Sequence, residues 1–169
     1  GTAQAAELDG SWHYYEFTGE PFQGAPDFAR QHMEEWPLFD IEIRPRFKPD
    51  TNRLLLAVRV NDNAPQKKIL LFMTAKQAIR MWLGDEFLFS AGGFLPQKFD
   101  EGTQPYMLSL PEFSGEQVLV VELYANSAKD LGWFSMFSVD TEQVQMGRLF
   151  YSDIPLVLAS PVGIAIIFI

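Results

Sequence analysis

Residues 79–91 carry the pattern that most limits what this chain can fold into. Ile79, Met81 and Leu83 alternate with Arg80 and Trp82; Gly84-Asp85 follows, and beyond it Phe87 and Phe89 flank Leu88. A period of two suits a strand, whose successive side chains point to opposite faces; a helix needs a period near 3.6. Two such runs around Gly-Asp predict a β-hairpin with Phe87 and Phe89 on one face. Gly92-Gly93 then breaks the second run, because glycine takes positive φ without steric cost. A hairpin with an apolar face cannot stand alone in water, so the rest of the chain must supply a layer to cover it.

The remaining sequence offers that layer in short pieces. His13–Phe17 reads as an aromatic strand, and the Gly- and Pro-rich stretch Thr18–Asp27 as a loop. Phe28, His32 and Trp36 recur every four residues and predict one or two helical turns, ended by Pro37. Leu38–Phe47 alternates Phe39, Ile41 and Ile43 against Asp40, Glu42 and Arg44, which predicts a half-buried strand that Pro45 confines to an edge or a bulge. Further strands are expected over Leu54–Val60, Ile69–Met73, Tyr106–Leu110, Val118–Tyr124 and Trp133–Val139, each bounded by turn residues. Many short strands with at most one or two short helices predict an all-β fold, an antiparallel two-sheet sandwich of jelly-roll type.

The 169 residues suffice for one domain with short attachments. The domain is expected over residues 8–140, with 141–153 as a connector that is amphipathic at Val144, Met146, Leu149 and Phe150. Ala3 and Ala5 resemble the small-residue tail of a secretory signal, so residues 1–7 are expected to be a signal remnant or a tag. Residues 154–169 contain no charge. They read as the start of a transmembrane helix, which needs about 20 apolar residues, or as a segment with a buried strand, Val162–Ile169, closing the core.

Charge and composition remove several functions. A formal charge of −9 disfavours a nucleic-acid backbone or an anionic bilayer surface as partner. The absence of cysteine excludes disulfides, thiolate zinc sites and thiol catalysis. His13 and His32 are the only histidines, and neither has a serine at motif spacing. There is no HExxH, Walker lysine loop or GxGxxG. Glu34-Glu35 and Asp85-Glu86 read as solvated acids, and Asn61-Asp62-Asn63 as an Asx turn in preference to a calcium loop. No catalytic residue, metal or cofactor is expected.

Aromatic side chains remain as carriers of function. A tryptophan offers a flat apolar face to a sugar ring, and neighbouring polar groups bond its hydroxyls. The candidate ligand-binding set is Trp36, Arg80, Trp82, Asn126 and Trp133. For each tryptophan, a place in the core is the competing reading.

Several stretches together resemble the galactose-binding-like jelly roll. They are Arg80-Met81-Trp82-Leu83-Gly84-Asp85-Glu86, Gly92-Gly93-Phe94-Leu95-Pro96, Tyr106–Leu110, Val118–Tyr124 and the opening Leu8-Asp9-Gly10-Ser11-Trp12. That fold serves as the sugar-binding domain of family 2 glycoside hydrolases and as the extracytoplasmic sensor domain of 7TM-DISM bacterial receptors. The hydrolase domains read valine-tryptophan-leucine-asparagine-glycine at the hairpin; here Gly84-Asp85 follows Leu83, so the asparagine has no counterpart. The resemblance implies a non-catalytic ectodomain that binds a saccharide or other small molecule. It would be periplasmic or cell-surface and held on the inner or cytoplasmic membrane through its C-terminal segment. An accessory carbohydrate-binding domain of a larger glycoside hydrolase is the alternative. A third reading is an assembly domain whose edge strands make protein contacts, a homodimer among them.

Overall fold

A computed structural model describes residues 11–41, 43–61, 68–92, 104–150, 156–160 and 163–167. In chain order the elements are β1 (Trp12–Phe17), α1 (Ala25–His32), β2 (Leu38–Phe39), β3 (Arg53–Asn61), β4 (Lys68–Thr74), β5 (Ala78–Leu83), β6 (Glu86–Ala91), β7 (Gln104–Ser109), β8 (Glu116–Tyr124), β9 (Phe134–Thr141), α2 (Glu142–Phe150), β10 (Leu156–Ser160) and β11 (Gly163–Ile167). They form a six-stranded sheet, β2-β1-β3-β8-β5-β6, and a five-stranded sheet, β11-β10-β7-β4-β9. Every pairing is antiparallel except β10 on β7. The molecule is therefore the two-sheet antiparallel β-sandwich that the alternation predicts.

The core lies between the sheets. Leu54, Leu56 and Val58 of β3, Ile79 and Met81 of β5, and Leu119, Val121 and Leu123 of β8 meet Leu70 and Phe72 of β4, Leu108 of β7 and Val139 of β9. The unbroken apolar run of β3 has a local cause, since its other face is covered too. There Leu55 and Ala57, with Val118 and Val120 of β8, pack under Ala25 and Ala29 of α1 and Met33 beyond it. Gly24 enters α1 at φ 67° and Pro26 lies in its first turn, where a missing N–H costs nothing. Asp27 near the start and Arg30 and His32 near the end suit the helix dipole.

Three details depart from the sequence reading. The strand expected over Leu38–Phe47 pairs only at Leu38–Phe39. Asp40 Oδ1 accepts the Ile43 amide at 3.2 Å, which turns the chain and leaves Ile43 76% exposed; Pro45 prevents the ladder from resuming. Phe87 and Phe89 fall on opposite faces. The β5–β6 register shifts between Met81 and Trp82, so Phe89 pairs Met81 and is buried, while Phe87 pairs Trp82 and is 54% exposed. The connector is ordered as α2, whose Leu149 and Met146 pack on Ile69, Leu71 and Met107. Within 154–169, the described stretches β10 and β11 are strands. Among the described residues no helix is long and apolar enough to cross a membrane. Residues 1–7, Asp62, Asn63 and Gly93 lie outside the described residues.

Candidate functional site

Arginine meets tryptophan at two places. The first is the outer face of the six-stranded sheet. Register aligns Tyr15, Leu55, Glu122, Arg80 and Ser90 in one row, and Phe17, Arg53, Tyr124 and Ala78 in the next row on that face. Glu122 is fully buried. It accepts from Arg80 Nε at 2.8 Å, from Arg80 Nη2, and from the Phe22 amide at 2.8 Å. The Arg53 guanidinium lies over the Tyr124 ring at 4.4 Å and donates to the Gly19 carbonyl. Burial lowers the Arg53 pKa, and the Glu122 charge opposes that shift.

Three sequence candidates sit here. Arg80 is ion-paired to Glu122, and its guanidinium covers Trp82 at 5.2 Å. Trp82 is half-buried and meets Phe87 edge-on at 5.9 Å. Trp36 is buried, stacked on Tyr15 at 5.6 Å and tilted against Phe28 at 5.6 Å. A buried carboxylate must be paired to be tolerated, and Glu122 is paired on both oxygens. This face holds the helix and the preceding loop onto the sheet.

The second place is where residues 40–48 meet residues 125–133. Arg44 turns inward and donates to the carbonyls of Leu131 and Ala128. Its guanidinium lies 4.9 Å from the ring centre of Phe47 and 4.9 Å from that of Trp133. Burial pushes the Arg44 pKa down, and Asp130 opposes the shift. Trp133 is 53% exposed, yet its position is fixed: Nε1–H donates to the Lys129 carbonyl at 2.7 Å, and its own carbonyl accepts from Gln77 Nε2 at 2.9 Å. Gln77 also accepts the Gly132 amide at 3.0 Å. Gly132 has φ 75°, and a Cβ there would approach the Phe39 ring to 3.2 Å. Only glycine lets the chain turn that close to the core before Trp133 emerges.

Beside this pair opens a cleft of about 380 Å³, lined chiefly by Arg44, Arg46, Phe47, Ser127 and Lys129. Asn126 is exposed, next in sequence to the lining Ser127, and its Oδ1 is 3.5 Å from the Tyr124 hydroxyl. The structure thus places Trp133 against Arg44 of this cleft, leaves Trp36, Arg80 and Trp82 on the outer face of the six-stranded sheet, and puts the Asn126 side chain beside Tyr124 of that face. Arg44, Arg46, Phe47 and Lys129 are absent from the sequence-based set. The alternation of residues 38–47 hides the first three inside an expected strand. The available signal is Arg44-Pro45-Arg46-Phe47, two cations around a strand-breaking proline in an acidic chain.

Elsewhere, His13 Nδ1 is 3.0 Å from the Trp36 carbonyl, and His32 lies 3.7 Å from the Glu35 carboxylate. Among the described residues neither histidine bonds a hydroxyl, and no group of three or more His, Asp and Glu is placed to hold a metal ion. A cleft at the β5–β6 turn is lined by Asp85, Glu86 and Glu112, with Asp85 engaged by Arg30 at 2.8 Å. No protein-family model matches the chain, and no curated protein matches it.

Proposed function

We propose that this chain is a non-catalytic recognition domain that binds a saccharide or another small molecule in the cleft beside Trp133. The observation that carries the reading is a tryptophan more than half exposed and yet fixed twice, its indole N–H by the Lys129 carbonyl and its backbone carbonyl by Gln77. A fixed flat ring with hydrogen-bonding groups around a cleft suits a sugar ring. The two-sheet sandwich is compatible with the galactose-binding-like jelly roll that the motifs resemble. On that resemblance we assign the domain to the extracytoplasmic side of a bacterial membrane receptor. The uncharged residues 154–169 would meet the bilayer. Fusing them to a soluble reporter should move it into the membrane fraction; a reporter that stays soluble contradicts this part.

The same geometry supports a route for a signal. Trp133 directly precedes β9, and β9 leads directly into α2. Gln145 of α2 is fully buried and donates to the carbonyls of Ile69 and Ser138 at 2.9 and 3.0 Å. A ligand that pulls on Trp133 acts on one end of a strand whose other end carries the latched helix. It can shift the helix only by its difference in affinity for the two arrangements.

A thermal-shift screen of the whole chain against mono- and disaccharides tests the reading. A sugar at about a hundredfold above its Kd should add about 2.7 kcal/mol of stability, and Trp133→Ala should abolish the gain. Stabilisation that persists in Trp133→Ala would move the site elsewhere, and a screen with no stabilising sugar, neutral or charged, counts against the function.

A further inference from the structure

Resting on the cleft reading above, we infer that its ligand is an anionic small molecule, a carboxylate- or phosphate-bearing compound of sugar size. The chain as a whole carries −9, yet the cleft lining contains Arg44, Arg46 and Lys129 and no carboxylate. The arginines elsewhere set the contrast. Arg30, Arg59, Arg80 and Arg148 each reach an Asp or Glu. Among the described residues Arg44, Arg46 and Lys129 reach none. Arg44 spends donors on two backbone carbonyls, which are neutral, so no carboxylate is hydrogen-bonded to it. The nearest acid acting on it, Asp130, is itself held by Ser127 Oγ at 3.1 Å.

Three cations lining one cleft in an acidic molecule make a local positive field, which concentrates small anions there. A guanidinium presents a planar fork of donors that fits a carboxylate or phosphate, and it stays charged at every physiological pH. Phe47 and Trp133 hold Arg44 where it lines the cleft, while Arg46 and Lys129 keep their donors for a guest. The volume, about 380 Å³, suits a small ligand. A long polyanion is disfavoured by the net charge outside the cleft.

Calorimetric titration of the whole chain with two matched pairs decides the matter: galacturonate against galactose, and glucose 6-phosphate against glucose. The expected result is that the charged member of at least one pair binds tighter by about tenfold or more, as a single charge-assisted hydrogen bond supplies. The pair that responds tells carboxylate from phosphate. Added salt should erode the gain. Arg46→Ala and Lys129→Ala should each reduce it, with melting temperature unchanged because both side chains are exposed, and Lys129→Arg should restore it. Neutral members that bind as well as their charged twins, with binding lost in Trp133→Ala, would overturn the anionic ligand and leave the cleft intact. Charged members that fail to bind, or that bind equally well to Arg46→Ala and Lys129→Ala, would also overturn it. The neutral-sugar screen then decides the cleft separately.

Discussion

Arg80 over Trp82 and Arg44 over Trp133 are the same two residue types at similar separation, 5.2 and 4.9 Å. Their surroundings differ in one respect that sets their roles. Arg80 faces a fully buried carboxylate, and that carboxylate also takes an amide from the loop before α1. Its charge is neutralised inside the protein. Arg44 faces carbonyls and two rings, and the cations beside it are without an acid. A cation with an internal counter-ion builds the fold; a cation fixed in place without one leaves charge for something outside. The pair of residues is alike in sequence, and the difference lies forty residues away, in whether a Glu122 stands opposite.

The contrast is broken first at Glu122. Glu122→Ala takes the buried carboxylate away from Arg80 and from the Phe22 amide, and loss of one member of a buried pair costs about 3–5 kcal/mol. Urea unfolding should show that loss, and a cost below about 1 kcal/mol would mean that Arg80 is as uncommitted as Arg46. Gln145→Ala comes next. It leaves the Ile69 and Ser138 carbonyls without their partner, at about 1–3 kcal/mol for a buried unsatisfied group. Hydrogen exchange in α2 should quicken, and unchanged exchange would show that the helix is held by its other contacts, Leu149, Met146 and Arg148. Trp133→Ala should cost only about 0.5–1 kcal/mol, the scale of an exposed cation–π contact, while removing ligand stabilisation. A large loss of stability there would place Trp133 with the structural pair.

The smallest effect is a pH dependence. Arg59 bonds the exposed Glu34 and holds its carboxyl below the usual carboxylate range. A depressed folded pKa contributes stability that is present above the ordinary carboxylate value and fades as pH falls through the folded one. Glu34→Gln should therefore flatten a slight part of the acid limb of the melting-temperature profile and leave it unchanged near neutrality. A change near neutrality would assign Glu34 another role.

The period-two runs made most of the sandwich readable. Ile79, Met81 and Leu83 face the core, and Arg80 and Trp82 face outward, as the alternation requires. Phe87 and Phe89 could not be assigned from period alone, because a bulge inserts one residue and reverses the face. The candidate site was half legible. Trp133 and Asn126 stand in a loop rich in turn signals, so their exposure follows from local sequence. Arg44 and Arg46 look like the polar half of a strand until Asp40 turns the chain away from the ladder. Trp36 recurs with Phe28 and His32 at helical spacing, and that spacing carries it into the aromatic layer under α1.

The most direct test is a nitrogen-15 correlation spectrum recorded while the chain is titrated with whichever sugar or sugar acid stabilises it most. The account predicts that the Trp133 indole signal and the amides of Ser127 to Lys129 shift first and saturate together, with the Trp82 indole and Arg80 side-chain signals unmoved. Saturating shifts at Trp82 and Arg80, with Trp133 unmoved, would contradict it.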